Sequence, residues 1–167
     1  MNLKKFLKYK PAFDYITANR PMHIVEFGGG ESTYYLNEHL SNLGYGGKVT
    51  AFENSQEFFD YAQEKGWDES GSINLVDVEI KDPVKGIVSY IHSYEGLEDV
   101  DFIIVDGPDY RVFRQANGEP SSITDNIQVM REHFDRDIPF WIEGRNGTQQ
   151  TCRNLGYKMI TDWDVWE

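Results

Sequence analysis

Short apolar runs alternate with amphipathic stretches along most of this chain. Ile24, Val25 and Phe27 form a compact run that ends at Gly28-Gly29-Gly30. That is the profile of a buried parallel strand opening into a turn. Lys48 to Glu53 predicts a second strand, Ile73 to Ile80 a third, and Asp137 to Glu143 a fifth. The strongest strand signal is the fourth, Val100 to Val105, which leads into Asp106-Gly107-Pro108. Between the strands, Tyr34, Tyr35, Leu36, His39, Leu40 and Leu43 predict a helix stopped by Gly44 and the Gly46-Gly47 pair. Phe58, Phe59, Tyr61 and Ala62 predict a second, starting at Asn54-Ser55, and Ile123, Ile127, Val129, Met130 and Phe134 a third. Gln149 to Leu155 reads as a last helix closed by Gly156. Gly86 to Tyr94 alternates enough for a short strand or hairpin before the fourth strand, and Tyr157–Ile160 and Trp163–Trp166 predict one or two edge strands. At the N-terminus Leu3, Phe6, Leu7, Phe13 and Ile16 recur at helical spacing, with Pro11 as a breaker. They predict one or two short helices covering the sheet or a cleft.

Five strand–helix units in succession argue for an α/β fold with a doubly wound, mostly parallel sheet and a site at the strand C-termini. No repeat or composition break divides the 167 residues, so the expectation is one domain, 1–167, with residues 1–20 as a helical cap. The 40% hydrophobic and 14% aromatic content suits a packed globular chain rather than a disordered one. No apolar run reaches the ~20 residues of a membrane span, and the basic N-terminus lacks a signal-peptide core. The single cysteine, Cys152, forms no internal disulfide and reads as a packing residue, which points to a reducing, cytoplasmic setting.

Charge narrows the partners. The net charge is −12, and residues 1–20 carry +4, leaving −16 on the rest. Such a body repels nucleic-acid phosphates and anionic membranes. A small-molecule substrate is the expectation.

Candidate chemistry gathers at the predicted strand ends. Gly28, Gly29 and Gly30 permit close approach of a ligand to backbone, and Ser32 or Thr33 can cap the helix that follows. No Gly-Lys-Ser/Thr follows, so this is not a P-loop. The dinucleotide fingerprint needs a third glycine that is missing, and Glu31 would face a pyrophosphate. An acid ends the first strand region (Glu26), the second (Glu53), the fourth (Asp106) and the fifth (Glu143). Glu53 stands ~20 residues beyond the glycine loop, the separation at which such folds place a ribose-binding carboxylate.

The order of these features resembles the class I S-adenosylmethionine-dependent methyltransferases over about residues 20–145. In their first motif Glu26 is the acid, Gly28 and Gly30 hold the glycine places, and Ser32 stands where a third glycine is often found. Asp106-Gly107-Pro108 is similar to their fourth motif. The resemblance implies S-adenosylmethionine over Gly28, Gly29 and Gly30, ribose hydroxyls on Glu53, adenine near Asp77 and Val78 (or Glu79), and Asp106 at the amino or sulfonium end. It implies methyl transfer to a small acceptor, at oxygen, with Asp106, Asp109 and His92 as candidate bases in that order. Arg111 could pair with a substrate anion or simply with neighbouring acids. Family sheets close with a terminal hairpin, for which only about twenty residues remain, so a truncated hairpin or completion across a homodimer is expected. The absent Asn/Asp-Pro-Pro-Tyr string disfavours amino methylation of DNA bases. Catechol-type relatives hold a divalent ion after strands four and five; Asp106, Glu143 and Asn146 are the corresponding candidates for Mg²⁺, which the Gly-Arg following Glu143 disfavours. The alternatives are a non-catalytic binding or structural protein with this fold, and a nicotinamide-dependent enzyme.

Overall fold

A computed structural model describes residues 3–68, 70–108, 123–144, 146–160 and 165–167, with side chains for all of these except 3–6 and 160. The elements run α1 (Leu3–Asn19), β1 (His23–Phe27), α2 (Glu31–Leu43), β2 (Lys48–Glu53), α3 (Gln56–Glu64), β3 (Ile73–Leu75), β4 (Val78–Asp82) and β5 (Ile87–Tyr90). They continue with β6 (Phe102–Val105), β7 (Ile123–Thr124), α4 (Asn126–Phe134), β8 (Phe140–Ile142), α5 (Asn146–Asn154), β9 (Met159–Ile160) and β10 (Val165–Trp166).

Seven strands form the main sheet in the order β3-β2-β1-β6-β8-β10-β9. Strands β3, β2, β1, β6 and β8 are parallel, and β10 runs antiparallel to both β8 and β9. The chain winds outward from β1 to β3, returns to β6 beside β1, then winds the other way. The reversal between β1 and β6 is a topological switch point, where doubly wound sheets bind ligands outside the strand C-termini.

Successive residues of each central strand point to opposite faces, and both faces are covered. Ile24, Phe102, Ile104 and Trp141 pack with Tyr9, Phe13 and Ile16 of α1 and Leu36 and Leu40 of α2. Val25, Phe27, Ile103, Val105, Phe140 and Ile142 pack with Ile127 and Met130 of α4 and Cys152 of α5. Each such side chain contributes roughly 1.5–3 kcal/mol when buried.

Several expectations are corrected. α1 is one helix running through Pro11. An internal proline costs about 3 kcal/mol, which the buried Tyr9, Ala12, Phe13, Tyr15 and Ile16 offset. Leu7 is exposed, not part of that face. The predicted third strand is two: β3 in the main sheet, then β4, which pairs with β5 and through it β7 in a second, three-stranded sheet. The hairpin foreseen at Gly86 to Tyr94 is β5 of this sheet, and Ile123 belongs to β7 rather than to α4. The C-terminal hairpin is short but contributes both strands, so no second chain has to complete the sheet. No described helix is long and apolar enough to cross a membrane.

Candidate functional site

Parallel pairing brings the strand ends into one row. Glu26 lies level with Ala51 and Ile104, and Phe27 with Phe52 and Val105. Val105 is level with Ile142, which places Asp106 beside Glu143 one residue beyond the strands. The sequence-predicted acids of β1, β2, β6 and β8 therefore line one edge.

The glycine loop is built against this row. The Phe27 carbonyl accepts from Asp106 N at 2.8 Å and Gly107 N at 2.7 Å, and the Phe52 carbonyl from Gly28 N and Gly29 N at 2.8 and 3.1 Å. A Cβ on Gly29 would sit 3.1 Å from both Ala51 Cβ and Ile73 Cγ2, so this glycine lets the loop lie on the sheet. Around Gly30 there is nothing within 4 Å of a Cβ position, so it borders open space. Gly30 N donates to Thr33 Oγ1 at 2.9 Å, and α2 begins at Glu31.

Glu26 is the most unusual group in the row. It is wholly buried, and Thr33 Oγ1 donates to its Oε2 at 2.5 Å. Its Oε1 is also buried and meets no hydrogen-bond partner among the described residues. Burial raises its pKa to about 8, against the bonds from Ser32 and Thr33, with Asp106 and Glu53 adding to the rise. An unpartnered buried carboxyl oxygen beside the glycine loop is a place for a polar or cationic ligand group.

Glu53 is buried, and its Oε1 accepts from Asn54 N at 2.8 Å and Ser55 N at 2.6 Å. This turns the chain sharply into α3, whose first turn Ser55 caps through Phe58 N. Asp106 accepts from the hydroxyl of Tyr9, a buried residue of α1. Burial and the charges of Asp106 and Glu26 push the Tyr9 phenol well above its ordinary range, so it stays a donor. Lys8, the preceding residue, makes an ion pair with Glu143. α1 thus reaches the ends of β6 and β8, as a cap over the cleft would. Sequence reading singled out neither Lys8 nor Tyr9; their signal was only a basic, aromatic-bearing helix.

Asp77 lies between β3 and β4 and is exposed, and Val78, half-buried, is the first residue of β4. The neighbouring Val76 N donates to the Glu53 carbonyl at 2.9 Å, so the segment leaves the sheet beside Glu53. Glu79 is turned outward and paired with Lys81. His92 stacks on Phe52 with ring centroids 4.4 Å apart and also meets Phe27. Its Nδ1 lies 3.0 Å from the Ser93 carbonyl and its Nε2 is buried without a described partner. Burial lowers its pKa, so the ring is a neutral member of an aromatic wall. Asp109 and Arg111 fall outside the described residues.

The metal candidates fit a divalent ion poorly. Mg²⁺ takes about six oxygens in octahedral geometry, whereas Asp106 and Glu143 already meet the Tyr9 hydroxyl and the Lys8 ammonium. Asn146 is exposed at the first residue of α5. No group of three His, Cys, Asp or Glu able to hold a metal occurs among the described residues.

The doubly wound, mostly parallel sheet with its row of strand-end acids is a Rossmann-like fold. Among solved structures, apo CmcI-N160 matches over 95% of this chain and 69% of its own, with TM-score 0.55 and 15% identity. A candidate caffeoyl-CoA O-methyltransferase from Staphylococcus aureus matches over 91% of this chain and 76% of its own, with TM-score 0.45 and 14% identity. At these identities the likeness is one of fold. No protein-family model and no curated protein sequence matches the chain.

Proposed function

We propose that the protein binds S-adenosylmethionine at the β1–β6 switch point and transfers its methyl group to an oxygen of a small molecule. The observation that carries this reading is Glu26 Oε1, buried and unpartnered beside the glycine loop. S-adenosylmethionine has an ammonium group to place there and no phosphate for the loop's acids to repel, which disfavours a nicotinamide dinucleotide. Gly28, Gly29 and Gly30 would give its backbone contact, Glu53 would hold the ribose, and Asp77 and Val78, at the start of β4, would meet the base. When bound, the group supplies a methyl carbon activated by a sulfonium. The chain then aligns the acceptor oxygen and keeps water out. The partners proposed are small molecules, with neither nucleic acid nor membrane, in the cytoplasm; a homodimer is compatible with this reading.

Calorimetric titration with S-adenosylmethionine and S-adenosylhomocysteine tests it. Micromolar affinity, about −8 kcal/mol, is expected for the wild type and not for Glu53→Ala. Glu53→Gln, which keeps an acceptor for Asn54 and Ser55, separates a lost ligand contact from a lost turn. A folded wild type that binds neither compound would leave the alternative, a binding or structural protein on this fold.

A further inference from the structure

Lys8 is paired with Glu143, one of the carboxylates that a divalent ion after β6 and β8 would need, and the cleft that Lys8 lines has no other cation among its described lining residues. The cleft holds about 300 Å³ and is lined by Lys8, Trp141, Ile142, Gln149 and Trp166, among others. This is at the small end of ligand pockets, large enough for a single-ring molecule. Aromatic and aliphatic residues line it together with Lys8 and Gln149, and the surface it presents is more polar than apolar. The ion pair is asymmetric: the Glu143 side chain is 11% exposed and that of Lys8 57%. Glu143 therefore anchors the ammonium from below while Lys8 keeps a solvent-facing side at the cleft. One residue on, Tyr9 joins Asp106, so the helix that carries Lys8 is fixed to the strand ends flanking the switch point.

We infer that the Lys8 ammonium, held by Glu143, takes the place of a metal ion in this site and binds the acceptor as a phenolate- or enolate-type oxyanion in the Trp141–Trp166 cleft. The inference rests on the methyl-transfer reading for its chemistry, but not for the binding it predicts. An ammonium beside an ionisable hydroxyl favours the charged form and stabilises the oxygen where charge concentrates. The acceptor's proton leaves to solvent on binding, so the site requires no general base. The oxygen's electron pair then forms the new C–O bond as the donor's C–S pair departs with sulfur. Oxyanion and sulfonium thereby become a neutral ether and a neutral thioether. Glu143 acts as a positioning residue; Lys8 is the group that touches the acceptor.

The test uses 4-nitrophenol, whose ionisation is visible as colour, titrated with pH in the presence of the full-length protein. Bound to the wild type, it is expected to show about a tenfold excess of phenolate over the free compound below its ordinary midpoint. Lys8→Arg retains the excess and Lys8→Met abolishes it, and the thermal melt of each variant, recorded alongside, shows that the fold persists. An identical titration for free compound, wild type and Lys8→Met would overturn the inference. So would micromolar Mn²⁺ binding to the wild type that disappears in Glu143→Gln, since a metal would then hold the acceptor. If the nitrophenol shift is present but S-adenosylmethionine does not bind, the oxyanion site stands and methyl transfer falls. If S-adenosylmethionine binds and the shift is absent, the reverse holds.

Discussion

Gly28 and Gly107 are in backbone contact across the switch point. A Cβ on Gly28 would lie 2.4 Å from Gly107 N, and one on Gly107 would lie 2.8 Å from Gly28 Cα. The glycine loop after β1 and the loop after β6 are therefore one floor made from two segments some eighty residues apart in sequence. Gly28 also has φ +102°, outside the range of ordinary side-chain-bearing residues. Gly28→Ala meets both penalties, and no flexible side chain is there to yield. Its expected cost is at least ~2–3 kcal/mol, read as a lowered midpoint in urea unfolding. A midpoint equal to wild type would show that the two loops are not packed together.

Gly30→Ala should behave in the opposite way. Its added methyl meets nothing within 4 Å, and replacing glycine at a helix N-cap costs no more than about 1 kcal/mol. The urea midpoint should move little. S-adenosylmethionine, if it lies over this loop, should bind at least about tenfold more weakly, or 1.4 kcal/mol, in calorimetry. Unchanged affinity would place the ligand elsewhere.

The parallel core was legible because its strands are buried on both faces and so read as continuous apolar runs, with Phe102 to Val105 the clearest case. The acids at Glu26, Glu53, Asp106 and Glu143 were legible because they end those runs. What the sequence hid was long-range. Ile73 to Ile80 is one run with apolar residues spaced as in a strand, yet the chain leaves the main sheet after Leu75 and joins a different one at Val78. Nothing local marks that exchange of partners. Pro11 predicts a break, but burial of the residues around it on the sheet outweighs the local cost. The partners of Asp106 and Glu143 are Tyr9 and Lys8, nearly a hundred residues or more away, and no spacing rule links them.

Cys152 should be inert in the folded protein. It is buried on α5, and burial pushes its thiol up to about 12. At pH near 8, where a free cysteine of ordinary pKa about 8.5 reacts readily, a thiol reagent should label it only as fast as the chain opens. Labelling should accelerate sharply through the urea transition. Rapid stoichiometric labelling in native buffer would contradict the burial of α5 against β8.

Glu26 should make stability fall as pH rises, the reverse of an ordinary salt-bridged carboxylate. Its pKa is raised from 4.5 to about 8, so the folded protein holds a proton that the unfolded chain has lost. The stabilisation is complete below the unfolded value and is lost as pH climbs through the folded one. The slope approaches 1.4 kcal/mol per pH unit across that window, a loss of a few kcal/mol in all. His92 acts oppositely at the acid end: burial lowers its pKa, so its protonation destabilises the fold as pH falls. The wild-type curve alone therefore mixes the two, and the difference between wild type and Glu26→Gln isolates the carboxyl. That difference should grow in favour of the glutamine variant from about pH 5 to about pH 8. Ligand binding turns the same group around. An ammonium docked on Oε1 favours the ionised carboxylate, so binding near neutral pH should expel up to about one proton. Titrations of S-adenosylmethionine in two buffers of different ionisation enthalpy read that proton directly, and Glu26→Gln should release none. Equal proton release from the two proteins would mean that the ligand's cationic end does not meet Glu26.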